Sequence, residues 1–144
     1  MLRELLLIPV FLCIIHVSFG QTVKKTHAIK AAQTPRIDGD LSDPVWQTAP
    51  LATDFITTNP NFGLPATDST SVKILYDNTA LYIGAILYDK PHLIRKQLTP
   101  RDQERQADVD FFSVFIDSYH DRQNAFQFLV TSRNVQSDAR VSPN

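Results

Sequence analysis

Cysteine, glutamate and glycine are scarce in this chain, and each scarcity excludes something. Cys13 is the one cysteine among 144 residues. It lies in an N-terminal apolar run, so a chain that has shed that run has no disulfide framework, no thiolate nucleophile and no cysteine-ligated zinc. Beyond residue 20 the glycines are Gly39, Gly63 and Gly84 alone, with no glycine-rich loop to cradle phosphate. Neither sign of charge dominates: 14 Lys and Arg face 15 Asp and Glu, for a net charge of −1. That balance gives no general attraction to nucleic acid or anionic lipid. No H-E-x-x-H and no G-x-S-x-G is present, and His27, His92 and His120 lie far apart. A glycosidase would need two carboxyls flanking the bond, and none of the aspartates sits in a recognisable catalytic motif. No enzyme activity is read from this stretch.

Glutamate occurs only at Glu4 and Glu104, whereas the chain beyond residue 20 has 13 aspartates. Aspartate is poor inside helices and favoured in turns. The choice predicts many loops, few helices, and short carboxylates where hard cations find ligands.

The first 20 residues read as a signal peptide. Arg3 precedes an apolar run from Leu5 to Phe19, and Ser18 and Gly20 supply small residues before a cleavage after Gly20. A membrane anchor is the competing reading, but the run falls short of the roughly 20 residues of a full span. Leu12 before Cys13 is too large to favour lipidation. The expected domain is 21–144, exported to the periplasm, cell surface or outer membrane.

Seven stretches of that domain carry the alternation and the β-branched and aromatic content of strands: around His27 to Ala31, Ala52 to Thr57, Ser71 to Tyr76, Leu81 to Tyr88, Asp110 to Asp117, Ala125 to Thr131, and from Val135 onward. Both faces of Leu81–Tyr88 read as covered. Asp77-Asn78 and Arg133-Asn134 mark tight turns, Asn being tolerant of positive φ. One helical turn is expected at Asp43 to Gln47, with Asp43 as cap and Pro44 in first position. Short connections without βαβ alternation predict an all-β, antiparallel, jelly-roll-like sandwich. The last segment begins like a strand and stops, so a further part is expected on the C-terminal side.

Four segments in order carry a resemblance: Ile37 to Trp46 (IDGDLSDPVW), Val72 to Asp77 (VKILYD), Ala80 to Gly84 (ALYIG) and Val114 to Asp117 (VFID). They resemble the family 9 carbohydrate-binding module, as found at the N-terminus of large bacterial outer-membrane proteins. The resemblance implies a calcium-containing β-sandwich that takes a glycan as partner and serves carbohydrate catabolism. It also implies a β-rich, barrel-like region downstream; an enzyme of that whole would be an O-glycosyl hydrolase. Sugar-binding members have a tryptophan clamp, one part of it in a pattern like W-x-x-D-x-V-E-x-F-I-D. Laid on this chain, Asp110 and Asp117 match, whereas Ala107 stands at the tryptophan and Ser113 at the glutamate. Ligand binding is expected at Asp110 and Ser113, which the resemblance aligns, and at Tyr119 as an aromatic nearby; calcium, as the resemblance implies, is expected at Asp117 and Asp121.

Each assignment has a plainer alternative. Trp46 is read as a core residue, with sugar stacking as the other reading. Asp108, Asp110, Asp117 and Asp121 are either calcium ligands or turn acids paired with Arg122 or Arg105. Tyr82, Tyr88 and Tyr119 are either a stacking platform or covered sheet residues with one wet tip. The basic stretch from Lys90 to Arg105 either meets an acidic glycan or is a solvated loop diluted by Asp102 and Glu104. For the whole, a structural or assembly module that has lost its sugar site stands beside the carbohydrate-binding reading.

Overall fold

A computed structural model describes residues 24–143; the signal peptide expected over 1–20 lies outside the described residues. Six strands follow one another: β1 Ile29–Lys30, β2 Thr70–Tyr76, β3 Leu81–Leu87, β4 Phe111–Ile116, β5 Ala125–Thr131 and β6 Gln136–Val141. They form two three-stranded sheets, β1-β2-β3 and β4-β5-β6. Every pairing is antiparallel except β1 with β2, which is parallel. Ile83 of the first sheet and Phe112, Val114 and Phe128 of the second line one cavity of about 440 Å³, so the two layers face each other across it. The architecture is the all-β sandwich expected.

The stretch Ala52 to Thr57 is not a strand. It touches the first sheet only through a single bridge from Ala52 to Val72, and Ile56 bridges to Pro65. Asp54 adopts a φ of 58°, which breaks the extended backbone in mid-stretch. The helical turn is present as a 3-10 turn over Pro44–Thr48. Asp43 does not cap it with its side chain, because that carboxylate instead accepts the backbone N–H of Arg36 at 3.1 Å.

The turns form for local reasons. Asp77 takes the N–H groups of Thr79 at 2.7 Å and Ala80 at 2.9 Å, and the Tyr82 hydroxyl donates to its second oxygen at 2.7 Å. These bonds bend the chain between β2 and β3, where Tyr76 pairs with Leu81. Asn134 adopts the positive φ of 59° between β5 and β6.

Trp46 is 2% exposed and packs with Ala31, Val45, Ala49 and Leu75. Leu41 and Tyr82 close that cluster. The cluster lies on the outer side of the first sheet, because Leu75, Tyr82 and Gly84 alternate with the inward Ile83. Burying an indole there stabilises the sheet by roughly 3–5 kcal/mol, judged by the usual loss on truncation. Coverage of β3 is confined to its middle: Leu81, Ile86 and Leu87 are exposed, contrary to the expectation that both faces are covered.

The second sheet inverts a simple hydrophobic reading. On β5 it is Gln127, Leu129 and Thr131 that are buried, while Phe126, Phe128 and Val130 are exposed. At Gln127 the cover comes from the second 3-10 turn, Glu104–Gln106, from which the Arg105 guanidinium donates to its side chain. Among the described residues no strand pairs with the outer edge of β3 or of β4, although these are the two most apolar strands.

Candidate functional site

A mixed apolar and polar cleft opens where β3 ends and β4 begins. It measures about 620 Å³, within the range of small-molecule sites. Tyr88, Phe111 and Phe112 supply its aromatic surface, and Asp68, Asp89, Arg95 and Asp110 its charges. Tyr88 is held by its own backbone, whose N–H donates to the Ser69 carbonyl at 2.9 Å. It is about half exposed, with ring surface free for a ligand.

The charged wall is built by a short pairing ahead of β4. Lys96 bridges to Val109, and Gln97 and Asp108 bond through both backbone and side chain. This brings Arg95 against Asp110. One Asp110 oxygen accepts the Arg95 backbone N–H at 2.9 Å; the other accepts Nε at 2.9 Å and stands 2.7 Å from a guanidinium nitrogen. Asp108 adds a longer contact of 3.5 Å. The hydrogen bond that the guanidinium donates to Asp110 is the main reason that Arg95 is held above its ordinary basicity. Ser132 completes the clasp: its hydroxyl donates to the Arg95 carbonyl at 2.7 Å, and its N–H to the Asp110 carbonyl at 2.8 Å.

The residues singled out in the sequence are not brought together. Asp110 lines the cleft, but its carboxylate is engaged by Arg95. Ser113 lies three positions along an extended backbone, on the opposite face. There its hydroxyl accepts the Gln127 amide at 3.0 Å, in the layer beneath Arg105. Tyr119 stands on the exposed loop after β4, 68% accessible. Arg122 and Arg105 do not pair with the acids as expected: Arg122 donates its backbone N–H to Asp117, and Arg105 turns to Gln127. Tyr82 is a partly covered sheet residue with its hydroxyl on Asp77, while Tyr88 is the tyrosine that lines the cleft.

Asp117 and Asp121 share one loop. Asp117 accepts the N–H groups of Asp121 at 3.2 Å and Arg122 at 2.8 Å. Asp121 accepts from Asn124 and Gln123, and the bonds from Asn124 chiefly hold its carboxyl below the usual carboxylate range. Calcium takes six to eight oxygens. Among the described residues no group of three or more His, Cys, Asp or Glu is placed to hold a metal. The loop uses its carboxylates to fix its own backbone.

Asp68, Asp89, Arg95 and Ser132 were missed as a site. Their signal in the sequence is faint. Tyr88-Asp89 at a strand exit is an aromatic beside a carboxylate, but the convergence of positions 68, 89, 95 and 132 is a product of the fold.

Aromatic side chains set among carboxylates, hydroxyls and one guanidinium suit a pyranose. The C–H faces of such a ring stack on aromatics and its hydroxyls need both donors and acceptors. No curated protein and no solved structure matches the chain at a significant level. Residues 37–143, well over half the chain, match the carbohydrate family 9 binding domain-like family, and the chain belongs to it.

Proposed function

We propose that this chain is the glycan-binding module of an exported bacterial protein of the cell surface or outer membrane, and that it serves carbohydrate catabolism by holding sugar rather than by chemistry. The observation that carries the reading is the cleft itself, where Tyr88, Phe111 and Phe112 sit among Asp68, Asp89 and the Arg95–Asp110 clasp. Family membership supports the ligand class. The apolar run from Leu5 to Phe19 supports export. Isothermal titration of the chain against a panel of soluble glycans tests it. Heat with at least one sugar, diminished by Tyr88→Ala, is the expected result. The absence of heat with every sugar at millimolar concentration rejects it.

One observation favours a second reading, a structural module that docks on a partner such as a membrane barrel. Ser113 is occupied by Gln127, and Ala107 offers no ring, so the family's clamp positions are filled by groups that serve the fold. A pull-down by downstream sequence, combined with silence toward sugars, would select that reading.

A further inference from the structure

A second cleft, of about 670 Å³, adjoins the first and shares Asp68, Thr70 and Tyr88 with it. Its far wall is a small flap. Ile56 bridges to Pro65, Thr57 donates its N–H to the Leu64 carbonyl at 2.8 Å, and Ala66 donates to the Phe55 carbonyl at 3.2 Å. The flap holds Phe55 and Ile56 at the rim, both exposed. At the flap's base the Lys24 ammonium donates to the Asp54 carbonyl. The two clefts therefore form one furrow. Phe111 stands toward one end, Phe55 toward the other, and Tyr88 on the shared ridge.

We infer that this furrow binds an internal run of a neutral, linear glycan, at least two linked rings crossing Tyr88, with Phe55 and Phe111 serving separate rings. The inference rests on the carbohydrate-binding reading above and deepens it. Two lines of chemistry lead to it. Each cleft alone is large enough for a small-molecule ligand, so a single sugar would leave half of the furrow empty. The charge is also one-sided: Asp54, Asp68, Asp89 and Asp110 line the furrow against Lys24 and Arg95. Arg95 is already matched by Asp110 and Asp108. Spare carboxylates accept hydrogen bonds from the hydroxyls of a neutral polyol and repel a uronate or a sulfated sugar.

The test is calorimetric titration of the chain with neutral gluco- and xylo-oligosaccharides of one to six units and with oligouronides of the same lengths. Affinity for one neutral series should rise by about tenfold between one and four units and then level off. Phe55→Ala should weaken the hexasaccharide more than the monosaccharide, and Phe111→Ala should weaken every length. Circular dichroism melting checks that both variants are folded, and Phe55→Leu, which keeps the bulk but loses the ring, serves if Phe55→Ala is not. Affinity independent of length, with equal losses in Phe55→Ala at all lengths, overturns the extended furrow while leaving sugar binding intact. Tighter binding of the uronides overturns the charge argument. Failure of every sugar to bind overturns the parent reading as well.

Discussion

Gly84 lies directly beneath Trp46. A Cβ placed on Gly84 would stand 3.2 Å from the indole Cη2 and 2.6 Å from a methyl of Leu41. The missing side chain on β3 is what lets the indole and Leu41 come this close to the sheet, so Gly84 and Trp46 act as socket and knob. Gly84→Ala should force Leu41 to another rotamer and lower stability by about 1 kcal/mol, against the small gain in strand propensity. Gly84→Val should cost more, about 2–3 kcal/mol, because the ring itself must move. Urea unfolding checks both. Equal midpoints for the three proteins would show that the ring is not seated there.

Asp77 gives a pH dependence of stability. Thr79 first, then the Tyr82 hydroxyl, hold its carboxyl far below its ordinary value of 3.8. A carboxyl depressed in the folded state adds stability above its unfolded value, and the contribution fades as pH falls through the folded value. Melting temperature should therefore decline on acidification below about pH 3.8. Asp77→Asn should melt lower at neutral pH and show a shallower acid limb than the parent. Thermal melts between pH 2 and pH 7 read it; parallel acid limbs would contradict the role given to the turn. The effect is modest, since water screens an exposed carboxylate.

How much of this was legible in the sequence depends on the kind of contact. The strands around Ser71–Tyr76, Leu81–Leu87 and Ala125–Thr131 could be read because alternation is a local property. So could the Asp77 and Asn134 turns, which hold through bonds to near neighbours. Ala52 to Thr57 misled because Phe55 and Ile56 have strand-like side chains while Asp54 turns the backbone to positive φ. The sense of β5 was hidden as well. Nothing within Ala125–Thr131 says that Gln127 is buried on the outer face, because Arg105, more than twenty positions earlier, reaches over it. The cleft was the least legible part, since Asp68, Tyr88, Arg95 and Ser132 meet only once both sheets are in place.

Arg95 and Asp110 should be coupled, and the coupling should be electrostatic. The guanidinium is mostly exposed while the carboxylate is 31% accessible. A double-mutant cycle with Arg95→Ala and Asp110→Asn should return a favourable coupling at low ionic strength. In 1 M salt, where the Debye length is about 3 Å, it should shrink. The same variants should impair the proposed sugar binding, Arg95→Ala by removing the guanidinium and Asp110→Asn by releasing it from its fixed orientation. A salt-independent coupling would point to packing rather than charge.

Glu104 is the opposite case. It is 5% exposed, and its Oε2 has no hydrogen-bond partner. A buried polar atom left unpaired costs about 1–3 kcal/mol. Glu104→Met, which fills the same space without the oxygens, should raise the urea midpoint by the equivalent of about 1–2 kcal/mol. Glu104→Gln should fall between the two. A lower midpoint for both variants would mean that the carboxylate has a partner worth keeping.

The outer flank of β4 has no neighbouring strand among the described residues, whereas its inner flank is paired with β5 along its whole length. Amides in an antiparallel strand point alternately to either flank. In heavy water, then, every second amide from Phe111 to Ile116 should take up deuterium quickly and the others slowly, so that a single strand displays a comb of fast and slow sites.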